Sequence, residues 1–266
     1  LGSTDGVNAS GDTFASWNWK AGTTSGIATN GSTTITPSAY SFNQTAGFSI
    51  IKYTGNDTAG AKVPHGLGAV PKLIIIKSTA STNSWNVYHA YNGATKYMLL
   101  DSAESVNTNT NRWNDTEPDS VNFTLGSTGA TNGSGGDSPF IAYCFAEVRG
   151  YSKFSNIIGN GYSGDGTYVY TGFKPSLLII KRTDGSGDWM ISDNKRSTSG
   201  GGNVINKTLV ANTNQVEIDA DRVDFLSNGF KLYTTDDSWC GSTDTAGVYM
   251  AWGQTIVGTN NVPATG

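Results

Sequence analysis

Two tryptophans stand among residues able to hold a ligand. Trp113 lies in Asn111-Arg112-Trp113-Asn114-Asp115, and Trp239 in Asp237-Ser238-Trp239-Cys240. A flat indole beside amides and carboxylates offers a stacking face with hydrogen-bonding neighbours, which is what capture of a saccharide or a protein surface requires. Trp239, Trp113, Asp237 and Asn114 are therefore the candidate ligand-binding residues. The competing reading folds each ring down over the edge of a β-sheet. It is preferred for Trp113, because Arg112 aligns with Arg222 further along, and the two arginines read as loop anchors.

Catalytic signatures are absent. There is no G-x-S-x-G elbow, H-E-x-x-H pair, Walker loop or C-x-x-C pair. A glycosidase needs two carboxylates brought together by the fold, one in an apolar setting that raises its pKa. The acids here lie mostly in Gly/Ser/Asn-rich stretches, and Asp57, Asp115, Asp119, Asp165, Asp184, Asp188, Asp236 and Asp237 read as turn-formers whose side chains bond nearby amides. No catalytic residue is expected, and the chain reads as a non-enzyme. Asp184-Gly185-Ser186-Gly187-Asp188 alternates oxygen ligands but lacks the later bidentate Glu of a calcium loop, so a hairpin turn is the preferred reading. His65 and His89 read as solvent-facing or hydrogen-bonded surface residues. Cys144 and Cys240 sit in dissimilar surroundings; a disulfide and two buried or half-buried free thiols both stay open, the second preferred. Two Cys and two His make no zinc site by spacing, and no cofactor or metal is expected.

The elements that position these residues come from the composition. Only 14% of the 266 residues are charged, and 34 are glycine. Strands joined by Gly/Asn turns fit this better than long surface helices. The net charge of −4 gives no basic stripe for nucleic acid, and no apolar run approaches the ~18 residues a bilayer crossing needs. Neither nucleic-acid binding nor membrane insertion is expected.

Internal repetition decides the organisation. Pro71 and Pro175 are 104 residues apart, and the same offset relates Gly55-Asn56 to Gly159-Asn160, Lys77 to Lys181 and Trp85 to Trp189. Phe123-Thr124-Leu125 matches Phe230-Lys231-Leu232 at an offset of 107, and Phe145 matches Trp252. Leu1–Thr4 resembles Leu125–Thr128, and Phe14–Trp19 resembles the strand Ile141–Phe145, as though the chain began partway through an earlier copy. Residues 1–46 thus read as the tail of a preceding repeat plus a Ser/Thr-rich connector, 47–150 as β-sandwich repeat 1, and 151–266 as repeat 2 with a polar C-terminus. More protein is expected on the N-terminal side.

Within each repeat the apolar period is two, the strand period. Leu73-Ile74-Ile75-Ile76 and Leu177-Leu178-Ile179-Ile180 read as central strands buried on both faces. Asn92-Gly93, Asn160-Gly161 and Asn228-Gly229 offer the positive φ of tight hairpins. The fold expected is all-β: two tandem antiparallel β-sandwich units, jelly-roll-like, each with its own core, with Trp85 and Trp189 in those cores and Trp17, Trp19 and Trp252 on alternating final strands.

Several stretches carry a resemblance: Gly47–Asn56, Pro64-His65-Gly66-Leu67-Gly68, Arg112–Thr116, Tyr143–Glu147, Gly150–Phe154, Asp193-Asn194-Lys195-Arg196 and Asn228–Leu232. They resemble a family of bacteriophage virion structural, tail-fibre-like proteins found in marine phages and viral metagenomes. The resemblance covers nearly the whole chain and carries over no catalytic residue. It implies an extracellular component of the virion surface, from a tail or head fibre. Its partners would be other virion proteins and a host-surface glycan or protein, and it would be a homo-oligomer, a trimer favoured. A tailspike-like polysaccharide depolymerase and a capsid cement or minor coat protein are the alternatives.

Overall fold

The computed structural model describes residues 8–135, 138–197 and 203–254. The Leu1–Thr4 match and the polar C-terminus therefore lie outside the described residues. Among the described residues nine strands form the first half: β1 (Ala39–Asn43), β2 (Phe48–Tyr53), β3 (Ala61–Pro64), β4 (Pro71–Ser78), β5 (Asn86–His89), β6 (Lys96–Leu99), β7 (Asn107–Thr108), β8 (Asn122–Leu125) and β9 (Phe140–Ala146). Eight form the second: β10 (Ser152–Ile158), β11 (Tyr168–Tyr170), β12 (Pro175–Arg182), β13 (Trp189–Asp193), β14 (Val204–Val210), β15 (Ile218–Leu226), β16 (Gly229–Leu232) and β17 (Ala246–Gly253). Helices α1 (Thr110–Trp113) and α2 (Gly129–Asn132) are single turns. The protein is all-β and antiparallel.

The duplication is visible in strand order. The first unit runs β2-β9-β4-β5-β6 across its main sheet, and the second runs β10-β17-β12-β13-β14. Each central strand enters through its proline with the same irregularity, between Pro71 and Leu73 and between Pro175 and Leu177. Trp85 and Trp189 share backbone partners too. Trp85 O accepts from Leu100 N–H and its own N–H donates to Asp101; Trp189 O accepts from Ala211 N–H and its N–H donates to Asn212.

The units diverge after β6 and β14. In the second, the alternating run Ile218–Leu226 makes the nine-residue β15, which joins β14 to β16 and merges everything into one nearly closed sheet ending at β11. In the first, Asn109 caps α1, Asn114 and Asp115 take positive φ, and Pro118 follows, so β7 stops after two residues and β3-β8 stays a separate sheet. Of the three expected Asn-Gly turns, Gly93 and Gly161 adopt positive φ. Gly229 instead opens β16, where a Cβ would collide with Val169 O, so close approach rather than turn geometry requires glycine there.

The largest departure from the sequence reading concerns the cores. Ile74 and Ile76 face a core within the first unit, and Leu178 and Ile180 face its counterpart in the second. Leu73, Ile75, Leu177 and Ile179 point the other way, into a third core shared by the two units. Double-sided burial is thus achieved by packing the two sheets face to face, not by each unit enclosing its strands alone. A fully buried Leu or Ile contributes about 1.5–3 kcal/mol; Leu73 and Leu177 are buried in the seam, while Ile75 and Ile179 are half-buried there.

Phe14–Trp19 forms no strand. The segment instead lies across the open end of the seam, and Trp19 meets Phe145 and Trp252 edge-on at 5.6 and 5.3 Å between centroids. β1, from the segment read as a connector, is the edge strand of the first sheet, paired with β2.

Candidate functional site

Trp113 and Trp239 do not form a binding face. Both rings are 2% exposed, each in the core of a different unit. Their local settings are alike. An Asx side chain caps a single helical turn, Asn109 bonding Asn111 N–H and Asp236 bonding Ser238 N–H; the tryptophan ends the turn; a left-handed residue follows, Asn114 at φ 52° and Cys240 at φ 53°. The polar neighbours that suggested ligand capture are caps, and the left-handed residue turns the chain so that the ring drops inward. Asp237 pairs with Arg182 at 2.6 Å. Asn114 and Asp237 lie in different units and are not brought together.

The other sequence candidates are structural as well. Asp184 takes Arg182 Nε on one oxygen and Ala246 N–H on the other, and Asp188 accepts from Asn212. Among the described residues no cluster of His, Cys, Asp and Glu could hold a metal. His65 and His89 are buried, not at the surface. In each, Nδ1 accepts the N–H two residues on, from Leu67 and Tyr91, which leaves Nε2 to bond Asp119 O and Tyr249 O respectively. Burial lowers both pKa values, that of His89 to about 4. Cys144 and Cys240 are free thiols buried in separate cores.

What the fold does assemble is a cleft of about 420 Å³ at the end of the seam. The strap carrying Trp17, Asn18 and Trp19 forms one wall, and the end of β13 with the turn Asn194-Lys195-Arg196 forms another. Asp193 organises it. Its Oδ1 accepts the N–H groups of Lys195 and Arg196 at 2.9 and 3.0 Å, and its Oδ2 takes Arg196 Nε at 2.7 Å and the Trp17 indole N–H at 3.2 Å. Burial pushes its carboxyl up, but the Arg196 guanidinium and the turn amides outweigh that and hold it below the usual carboxylate range. Arg196 also bonds Glu217 and lies 5.5 Å from the Trp17 ring centre. The Oδ1 of Asn194 is a buried acceptor with no partner among the described residues.

Behind the polar mouth, and sharing the walls Trp17, Asn18, Trp19 and Trp252, lies an apolar space of about 480 Å³ between the two sheets. Both volumes fall within the roughly 300–1,000 Å³ of small-molecule sites. In the sequence, Asp193–Arg196 stands out only as part of the resemblance. An Asp ending a strand with Arg three residues on is an Asx-turn signal, but nothing local shows that Trp17, 176 residues away, closes on it.

These features define an all-β protein of two tandem antiparallel units, packed face to face, with an aromatic cleft where they meet. The chain belongs to the family described as Domain of unknown function (DUF7483), which it matches over residues 1–255. No curated protein and no solved structure matches it.

Proposed function

We propose that this chain is a non-enzymatic structural module of a phage virion, part of a tail or head fibre, and that its seam cleft holds a saccharide of the host surface. The observation that carries the reading is the cleft itself: Trp17 and Trp19, half-buried, stand beside the Asp193–Arg196 ion pair and the polar turn Asn194-Lys195-Arg196. Sugar rings bring apolar faces for indoles and hydroxyls for the polar side chains beside them. The virion setting is supported by the resemblance of the Gly47–Asn56 and Asp193–Arg196 stretches to phage structural proteins.

The cleft also speaks against hydrolysis. Asp193 is the one acid among the described residues lining it, and an Asp held ionised has no proton to give a leaving group. Affinity per site would be weak and multiplied by copies in an oligomer with other virion proteins, through effective concentration. The test is a glycan array probed with the intact oligomer, wild type against Trp17→Ala. Binding to a host-surface polymer that the variant loses supports the reading. No binding would leave a purely structural role, and shortening of the polymer would make the protein a depolymerase.

A further inference from the structure

The two units differ at one sheet edge. In the first, His65 N–H bonds Val121 O, so β3 meets β8 through its odd-numbered residues and the N–H and C=O of Lys62 point away from the sheet. The chain covers them itself. Lys62 N–H donates to Thr34 Oγ1 at 2.7 Å, and Lys62 O accepts from Thr34 N–H and Ile35 N–H at 3.1 and 3.0 Å.

Register makes Tyr168 the counterpart of Lys62, since Val63 faces Phe123 and Val169 faces the equivalent Phe230. Leu232 N–H bonds Thr167 O and Thr171 N–H bonds Asn228 O, so Tyr168 also turns its N–H and C=O away from β16. No partner among the described residues meets them. β11 ends the sheet, and β10 reaches across only by side chains on either side of Tyr168: Lys153 Nζ to Tyr170 O at 2.9 Å and Thr167 Oγ1 to Ile158 O at 2.8 Å. Exposed apolar side chains gather at the same gap. Ile158 is 42% exposed, Tyr162 68%, Tyr168 45% and Tyr170 59%. An uncovered edge with exposed rings is what proteins ordinarily avoid unless something pairs with it.

We propose that the outer edge of β11 docks an extended peptide segment of a partner protein, uncharged and rich in β-branched and hydroxyl side chains, added at Tyr168 as Thr34 and Ile35 are added at Lys62. The sister edge supplies the pattern of the occupant, for residues 33–43 contain no charged residue. Charge at the edge is sparse: Lys231 is paired with Asp165, and Lys153, which keeps its charge, is tied to Tyr170 O. The segment adds to β11 rather than to β10, whose outer edge is already taken at its start by Glu147, which accepts Phe154 N–H, and by the Val148–Ser152 bridge. Main-chain bonds would give the affinity and the tyrosines the selectivity.

The experiment titrates a fluorescently labelled peptide of residues 30–43 into the whole protein and reads anisotropy. Saturable binding is expected, weakened about tenfold or more by Tyr168→Pro, which removes the outward N–H and leaves the β16 ladder intact. Because that variant can fail to fold, a peptide N-methylated at Thr34 is tested on unchanged protein and is expected to bind correspondingly less. Absence of saturable binding, or binding indifferent to both changes, overturns the proposal. So does a peptide-free dimer dissolved by Tyr168→Pro, which would make the occupant a second copy's β11.

Discussion

Trp189 donates its indole N–H to Leu99 O at 2.8 Å, across the seam between the two units, whereas Trp85 in the same backbone setting lies half-buried against Tyr143. Equivalent positions thus carry unequal loads. Trp189→Ala would leave a hole in the shared core and is expected to cost about 3–5 kcal/mol; Trp85→Ala is expected to cost roughly 1–2 kcal/mol. Urea unfolding of the two variants checks this, and equal losses would mean the seam contributes little.

Acid should loosen the same seam through His89. Its Nε2 bonds Tyr249 O of the other unit at 3.4 Å, and burial lowers its pKa to about 4. The unfolded chain would titrate near ~6.5. Between those values the unfolded state binds more protons, so stability is full above about pH 6.5 and is lost as pH falls towards 4. The loss from this one group would be at most about 3 kcal/mol. Thermal unfolding at pH 7 and at pH 4.5 measures it. His89→Gln should show a smaller drop than wild type; an identical drop would place the acid sensitivity elsewhere.

How much of this was legible in the sequence follows from what each residue's neighbours in the chain can say. Leu73–Ile76 announced a strand buried on both faces, and Pro71/Pro175 with Trp85/Trp189 announced the duplication. Which body covers the second face depends on the other unit, some hundred residues away, and no local pattern carries it. Trp113 and Trp239 misled because a cap and a ligand-binding group use the same residue types. The signal that separates them is positional: Asn109 and Asp236 each stand three or four residues before the ring, at capping distance. Trp17 and Trp19 misled through their alternation, which imitates a strand but serves to turn both rings towards the seam.

The thiols give a third expectation. Cys144 and Cys240 are both buried, and burial pushes each up to about 12, so neither is a nucleophile at neutral pH in the folded protein. An aromatic disulfide reagent should label neither in the native state and two per chain in denaturant. Rapid native labelling would show that the cores open readily, and no labelling after unfolding would reveal a bond between them.

The strap over the seam should answer to Asp193. Asp193→Asn keeps an oxygen for the amides of Lys195 and Arg196 but removes the charge that holds Arg196 Nε at 2.7 Å and the Trp17 indole at 3.2 Å. Arg196 keeps Glu217 and Ile191 O, so the loss should be moderate, about 1–3 kcal/mol. Since the folded carboxyl titrates below its ordinary value, its contribution is present above about pH 4 and disappears as pH falls through the folded pKa. Wild type and variant should therefore differ at pH 7 and converge in strong acid. Tryptophan emission supplies the structural readout: freeing Trp17 exposes its ring and shifts the spectrum to the red. An unshifted spectrum at pH 7 would mean that Trp19, packed against Phe145 and Trp252, holds the strap by itself.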